Sequence, residues 1–237
     1  MSEYAEDEEQ EHRKSLLDVI CSHVLRDKPV LSRVMFAGRR THKEEALKGI
    51  FEDLTDPSRH SYEGTGGITF TGIFVETASN FIHFLEGEPK NILSLLANLH
   101  SNAAFMDKMD DVQILSYTDD IVDRSWPKWA ALVVDIPGKA IKKDDEDATI
   151  GEIVNQIQRF QELGSQIFTK EKLQIETYLA AVKNSHPDLL PTVAMMDGVL
   201  DSGFCLTLDE FLFLYNKPVD ITLQSELVWP IPPPLKY

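Results

Sequence analysis

His83 is the side chain in this sequence that is best suited to chemistry. It lies within the apolar run Phe81–Leu85, where an imidazole could act as a general acid or base or as a metal ligand. No cysteine or second histidine stands near it at the spacing of a metal site, and Glu86 alone is weak support for one. We therefore interpret His83 as a structural histidine that is hydrogen-bonded within a core.

Three other motifs resemble binding loops but lack essential residues. Gly64-Thr-Gly-Gly67 has no Gly-Lys-Ser/Thr to grip phosphates, so a plain loop is favoured. Asp144-Asp-Glu-Asp147 has no glycine at the sixth position of a calcium loop, so a solvated linker is favoured. Arg39-Arg40 stands where an acylphosphatase-like enzyme would place a phosphate-binding arginine, but the rest of such a loop is missing. The sequence predicts neither a catalytic set nor a metal site.

Composition and charge narrow the classes of partner. The formal net charge is −16, which argues against binding a nucleic-acid backbone or an anionic membrane through bulk electrostatics. Cys21 and Cys205 are far apart in the sequence, so we expect free thiols and a reducing compartment. No apolar run approaches the about 20 residues that span a bilayer. We expect a soluble, intracellular protein.

Residues 68–87, which include His83, form the most strongly patterned apolar stretch of the sequence. It reads as two apolar strands joined by a polar turn over residues 76–80. Both strands are apolar on both faces, which is typical of strands in the middle of a sheet that is covered on both sides. We therefore expect this hairpin to lie at the centre of the fold.

The chain around the hairpin alternates between strand and helix patterns. A strand over residues 29–38 precedes a helix that Thr41 would cap, and a second helix begins at Pro89. Two further strands follow, over residues 112–118 and 130–136. The order β-α-β-β-α-β predicts an α+β, ferredoxin-like sheet with both helices on one face, plus one more strand.

Two regions flank this central domain, which we place at residues 28–138. Residues 1–27 are an acidic segment with a helix over about residues 8–26. Residues 139–237 comprise a charged linker, a helical extension and an extended, proline-rich tail that is too apolar to be free. The motif Thr207-Leu-Asp-Glu210 predicts a capping box. An apolar stripe predicts the first helix of the extension: Ile150, Ile153, Val154, Ile157 and Phe160.

The hairpin also resembles a known family. Thr71-Gly72-Ile-Phe74, Phe81-Ile-His-Phe-Leu-Glu-Gly87 and the later Arg124-Ser-Trp-Pro-Lys-Trp129 resemble the BLUF family of flavin-binding blue-light sensors over about residues 28–136. The resemblance implies FAD bound between the two helices that flank the sheet. It also implies a tyrosine on the first strand and a glutamine on the third as the light-responsive pair. An asparagine near the second strand would bind the flavin ring, with a tryptophan and a methionine near the last strand.

This chain departs from that pattern residue by residue. The tyrosine position is Phe36, the glutamine position is His83, the asparagine position falls near Thr65 and the methionine position falls on Ala131. Only the tryptophan is matched, by Trp129. The light-responsive pair is therefore absent, and the resemblance implies a degenerate flavin site with no cofactor.

The resemblance extends to flavin-less eukaryotic relatives of sperm flagella. It implies a non-catalytic structural or protein-interaction component of the ciliary or flagellar axoneme, located in the cytoplasm and cytoskeleton. Its partners would be axonemal proteins, with no nucleic acid and no membrane, and a homodimer is left open. The alternative is a flavin-binding BLUF-type sensor with altered photochemistry.

Overall fold

The computed structural model describes residues 30–42, 46–56, 69–138, 145–168, 170 and 172–216. Four sequence predictions lie outside these residues: the N-terminal helix, the loop at residues 64–67 with Thr65, most of the linker, and the C-terminal tail.

The described residues form a six-stranded sheet and seven α-helices, with the strand order β5-β2-β3-β1-β4-β6. All neighbouring strands are antiparallel except β2 and β5, which are parallel. The strands are β1 (Leu31–Arg40), β2 (Phe70–Glu76), β3 (Asn80–Gly87), β4 (Met109–Ile121), β5 (Trp129–Val133) and β6 (Leu206–Thr207). The helices are α1 (Lys48–Thr55), α2 (Pro89–Ser101), α3 (Ala103–Met106), α4 (Glu146–Ile167), α5 (Lys172–Ser185), α6 (Val193–Ser202) and α7 (Leu208–Asn216), with a 3-10 turn at Pro187–Leu189.

The predicted hairpin is the centre of the sheet. Strand β3 pairs with β2 on one side and β1 on the other, and every residue of β2 and β3 is buried. The backbone of β2 comes very close to β3 at Gly72, which has a φ of 137°. A Cβ there would collide with the carbonyl oxygen of Phe84, so the strand requires glycine at this position.

Helices cover both faces of this sheet, which confirms the α+β, ferredoxin-like architecture with a helical extension. Helices α1 and α2 pack together on one face, through Leu47, Phe51, Leu54, Ile92, Leu95, Leu96 and Leu99. Helices α4, α5 and α6 of the extension pack on the opposite face, over Met35, Ile73, Val75, Ile82 and Phe84. The extension therefore completes the core of the central sheet.

The structure corrects several predicted boundaries. Helix α1 begins at Lys48 rather than after Thr41, because the carboxylate of Glu76 accepts hydrogen bonds from the backbone N–H groups of Leu47 and Lys48 (3.1 and 3.2 Å). Strand β4 begins at Met109, before the predicted start, because it pairs there with the end of β1. The acidic motif that was predicted as linker partly caps α4, where Asp145 accepts from the N–H of Ala148 (3.0 Å).

The apolar stripe of α4 is buried only in part. Ile153 and Phe160 lie in the core, but Ile150 and Val154 are 47% and 46% exposed. The capping box, in contrast, is confirmed. Thr207 and Glu210 each donate a backbone N–H to the other's side chain (2.9 and 3.3 Å) at the start of α7.

Trp126 joins the sheet to the extension. Its side chain is fully buried, and its Nε1–H donates to the carbonyl oxygen of Phe160 in α4 (2.9 Å). Gly164, one turn further along α4, lies directly against this indole. A Cβ on Gly164 would meet the backbone carbonyl oxygen of Ser125 and would lie 2.9 Å from Cδ1 of Trp126. The close contact between α4 and the sheet therefore depends on glycine at this position.

We predict opposite effects for two glycine-to-alanine substitutions in α4. G164A should lower the free energy of unfolding by about 1–3 kcal/mol, because the new methyl group overpacks the Trp126 contact. G151A has nothing within 4 Å of its new Cβ. It should raise the free energy of unfolding by about 0.5–1 kcal/mol, because alanine favours the helix. Urea denaturation of both variants measures the difference, and equal shifts would contradict the proposed packing of α4.

Candidate functional site

Three of the predicted flavin-site positions lie in one row across the sheet. Phe36 of β1 is paired with His83 of β3, His83 with Phe74 of β2, and Phe74 with Ala131 of β5. Paired residues on neighbouring strands point to the same face, which here is the face covered by α1 and α2. The structure therefore brings Phe36, His83 and Ala131 together, while Thr65 lies outside the described residues.

His83 is enclosed by aromatic rings. Its ring centroid lies 5.1 Å from that of Phe36, 4.9 Å from Phe51, 5.5 Å from Phe74 and 6.1 Å from Trp129. The imidazole is fully buried. Its polar contact is with Trp129, whose Nε1–H donates to Nε2 of His83 (2.9 Å).

This contact fixes the tautomer and the charge of His83. An indole nitrogen only donates, so Nε2 must accept and the ring proton must reside on Nδ1. Nδ1 is buried and has no hydrogen-bond partner among the described residues. Burial lowers the pKa of His83 from 6.5 to about 3, because the aromatic surroundings cannot solvate an imidazolium. His83 is therefore neutral near pH 7 and is poorly suited to proton transfer there.

The residues of this site do not fit a flavin. The ring of Phe51, on the inward face of α1, lies 4.5 Å from that of Phe74 and 5.6 Å from that of Phe81. These rings, together with Phe36 and His83, are fully buried and fill the space between α1 and the sheet. Phe36 also has no hydroxyl group to pair with a flavin-linked amide. No chemistry through a flavin therefore follows from this site.

Glu86 forms a second polar centre, at the end of β3, that the sequence analysis did not single out. Its carboxylate is fully buried and accepts two hydrogen bonds from Arg33, through Nε (3.0 Å) and Nη2 (2.8 Å). It also accepts from the hydroxyl of Thr71 (3.2 Å) and from the backbone N–H groups of Ser125 (2.8 Å) and Trp126 (3.2 Å). These bonds tie three strands and the segment before β5 to one side chain.

The two arginines that could have bound phosphate are engaged in ion pairs. Arg40 lies 3.2 Å from the buried carboxylate of Glu76 and donates to the carbonyl oxygen of Thr77 (2.7 Å). Arg39 reaches three carboxylates, those of Asp111, Asp197 and Asp201, so it connects the start of β4 to α6. Both guanidinium groups therefore stabilise the fold. This argues against a role for them in binding phosphate, as an acylphosphatase-like enzyme would require.

One sequence signal could have identified these carboxylates. Glu76 directly follows the apolar run of β2, Glu86 directly follows that of β3, and both carboxylates are buried. A buried carboxylate requires a cationic or N–H partner. That partner could not be chosen from the sequence, because Arg33, Arg39, Arg40 and Arg124 are all within reach of the same sheet.

Among the residues that the structure describes, no group of three or more His, Cys, Asp and Glu side chains is placed to hold a metal ion. None of the helices found in these residues is long and apolar enough to cross a membrane.

We predict that His83 makes the protein less stable in mild acid. Between pH 6.5 and about 3 the unfolded chain protonates this histidine and the folded chain does not, so stability falls as the pH is lowered. From pH 7 to pH 5 this effect should reach about 2 kcal/mol. H83Q should lose that part of the pH dependence, as measured by urea denaturation at both pH values.

The control for this prediction is H186Q, which changes an exposed histidine in the segment after α5. It should keep the pH dependence of the unmodified chain. If H83Q does not fold, H83F serves the same purpose, because it also removes the titrating group. An unchanged pH dependence in these variants would show that His83 is not buried as a neutral imidazole.

We predict that E86Q destabilises the protein far more than a surface control. The amide leaves Arg33 without its buried counter-charge and offers one acceptor oxygen where the carboxylate offers two, at a cost of about 3 kcal/mol. E52Q removes an exposed ion pair with Lys48, whose side chains are 46% and 50% exposed, and should cost less than about 0.5 kcal/mol. Urea denaturation at pH 7 compares the two. Similar losses would contradict the central role assigned to Glu86.

Among solved structures, the chain is similar to several BLUF proteins. It shares 17% identity with the BlrP1 BLUF structure, over 65% of this chain and 90% of that chain, with a TM-score of 0.36; related structures identify BlrP1 as a protein of Klebsiella pneumoniae. It shares 13% identity with the BLUF protein BlrB in its dark state, over 65% of this chain and 98% of that chain, with a TM-score of 0.35. A bacterial light-regulated adenylyl cyclase matches at 19% identity, over 56% of this chain and 35% of that chain, with a TM-score of 0.34. These identities and TM-scores are low. The fold is therefore described from the strand order of this chain.

A protein family matches most of the described chain. The sequence model of the testis-expressed protein 47 family covers residues 30–217, which include the whole sheet and all of the described helices. The match therefore spans the central domain and the helical extension together. The chain belongs to the testis-expressed protein 47 family.

Proposed function

We propose that this protein is a non-catalytic, structural component of the axoneme of cilia or flagella, and of the sperm flagellum in particular. The observation that carries the proposal is the packed aromatic site. Where the BLUF resemblance would place a flavin and its light-responsive pair, the structure has Phe36, Phe51, Phe74 and a neutral His83 in mutual contact.

The chemistry of the other candidate residues points the same way. Arg39 and Arg40 are engaged with carboxylates, and Glu76 and Glu86 are in turn engaged with arginines or backbone N–H groups. Each of these side chains thus holds two elements of the fold together. A fold with its polar groups paired internally suits a scaffold better than a catalyst.

The placement in the flagellum rests on the family and on the surface of the chain. The family is named for expression in testis, where sperm flagella are assembled. The net charge of −16 suits a basic protein partner better than nucleic acid. Exposed apolar side chains, including Phe213 at 68% and Leu214 at 54%, offer contact surface for such a partner.

We expect the purified full-length chain to be colourless. After incubation with FAD and gel filtration it should retain no absorbance in the blue, because the aromatic rings occupy the site. The double variant F36Y/H83Q restores the side chains of the light-responsive pair but keeps Phe51 and Phe74. It should also remain colourless if packing, rather than those two residues, excludes the flavin. Flavin retained by the unmodified chain would instead support the alternative of a sensor with altered photochemistry.

Extraction of motile flagella tests the structural role. The tagged full-length chain should stay with the axonemal pellet after detergent removes the membrane and soluble proteins. A soluble fluorescent protein with the same tag controls for trapping and should appear in the supernatant. Release of the full-length chain into the detergent supernatant would contradict the axonemal assignment.

A further inference from the structure

An apolar slot lies beside β4, between α4 on one face of the sheet and α7 on the other. It has a volume of about 450 Å³, and residues 114–117 of β4 form its floor. Its walls come from α4, from the segment that leads into β6, and from α7. The apolar side chains of these walls include Ile150, Val154, Ile157, Phe204, Leu206 and Phe211.

The side chains on two walls of this slot are exposed. Ile150 and Val154 of α4 are 47% and 46% exposed, and Phe204 and Leu206 beside β4 are 44% and 41% exposed. These four residues line one concave surface, whereas exposed apolar residues elsewhere on a protein are commonly scattered singly. A contiguous apolar surface of this kind is typical of a site that contacts another molecule.

The spacing of the exposed residues on α4 suits a partner helix. Ile150 and Val154 are four residues apart, so they lie one above the other on the same side of α4, and Ile157 extends this row by one more turn. A second helix packs against such a row by fitting its own side chains between those of the first. An amphipathic partner would use apolar residues at positions i, i+3, i+4 and i+7.

The charge around the slot defines the chemistry of the partner. Glu146 lines the slot, and its neighbours Asp145 and Asp147 are also exposed at the start of α4. Glu210 is exposed at the start of α7, next to Phe211 in the slot wall. Among the described residues that line the slot, none is lysine, arginine or histidine. A partner with lysine or arginine beside its apolar residues would complement this surface.

The same charges disfavour a second copy of this chain as the occupant. A symmetric dimer buries the same surface of both subunits in one interface. It would therefore bring the acidic residues 145–147 of both copies into the contact region, where like charges repel. The net charge of −16 on each copy adds to this repulsion.

We propose that the slot binds an amphipathic, basic helix of another protein. Its apolar side chains contact Ile150, Val154 and Leu206, and its lysine or arginine side chains lie opposite Glu146. The apolar contacts supply most of the affinity, while the charges orient the helix toward the start of α4. This site deepens the proposed structural role, on which its biological meaning rests, by naming a contact surface and a class of partner.

Binding of a model helix to the full-length chain tests the site. The probe is a fluorescein-labelled peptide of about 18 residues, or five helical turns, with leucine on one face and lysine on the other. A scrambled peptide has the same composition but no apolar face. Fluorescence anisotropy should show at least about tenfold tighter binding of the helical probe, because the slot requires a continuous apolar face.

Two matched pairs of variants locate the binding. V154K should weaken binding of the probe at least about tenfold, because it removes an apolar contact and adds a like charge. V133K makes the same change at an exposed valine of β5, at the opposite edge of the sheet, and should alter the affinity less than about twofold. E146Q should weaken binding about two- to threefold and reduce its dependence on salt, whereas E162Q, further along α4, should not.

The possible outcomes separate this partner from other occupants. Equal affinity of the unmodified chain and V154K overturns the proposal, and so does equal affinity for the helical and scrambled peptides. Failure of the unmodified chain to bind the probe also overturns it. Gel filtration then shows whether a second copy occupies the slot, as a dimer that V154K abolishes, or whether the chain is a monomer that fills its own slot.

This test is independent of the extraction of flagella. Release of the chain by detergent would contradict the axonemal role, and it would leave the measured affinity for the probe unchanged. Loss of probe binding would contradict the docking site, and retention in the axonemal pellet would still support the structural role.

Discussion

The buried carboxylate of Glu86 is the interaction on which the arrangement of this protein depends. A fully buried charge costs several kcal/mol unless cationic and N–H groups surround it. Here those groups come from β1, β2 and the segment before β5, so all three must be in place for the charge to be tolerated. The same segment places Trp126 against α4, on the face of the sheet that the helical extension covers. One ionised side chain thus couples the central sheet to the helical extension.

The face of the sheet below α1 is a closely packed aromatic core. Phe36, Phe51 and Phe74 enclose His83 at ring distances typical of favourable aromatic pairs. Burial of these rings stabilises the sheet. The bond from Trp129 to His83 satisfies one ring nitrogen, and Nδ1 has no partner among the residues that the structure describes. A neutral histidine tolerates this, whereas an imidazolium would not.

Much of this architecture could be predicted from sequence because its signals are local. The apolar hairpin, the helix that starts at Pro89 and the capping box at Thr207 each depend on residues within one element. The start of α1 could not be predicted, because its cap is Glu76, which lies on another element. Ile150 and Val154 fit a helical stripe, but periodicity does not reveal how far a neighbouring element extends to cover it.

The sequence by itself determined the central hairpin, the β-α-β-β-α-β order of elements and the family resemblance, with Phe36 and His83 at the positions where that resemblance implies tyrosine and glutamine. These follow from residue types and from spacing along the chain. The tertiary structure decided which arginine meets which buried carboxylate, that Phe36, His83 and Ala131 lie in one row, and that Phe51 packs above this row. These contacts join residues that are far apart in the chain, so their energies depend on distances that no local pattern specifies.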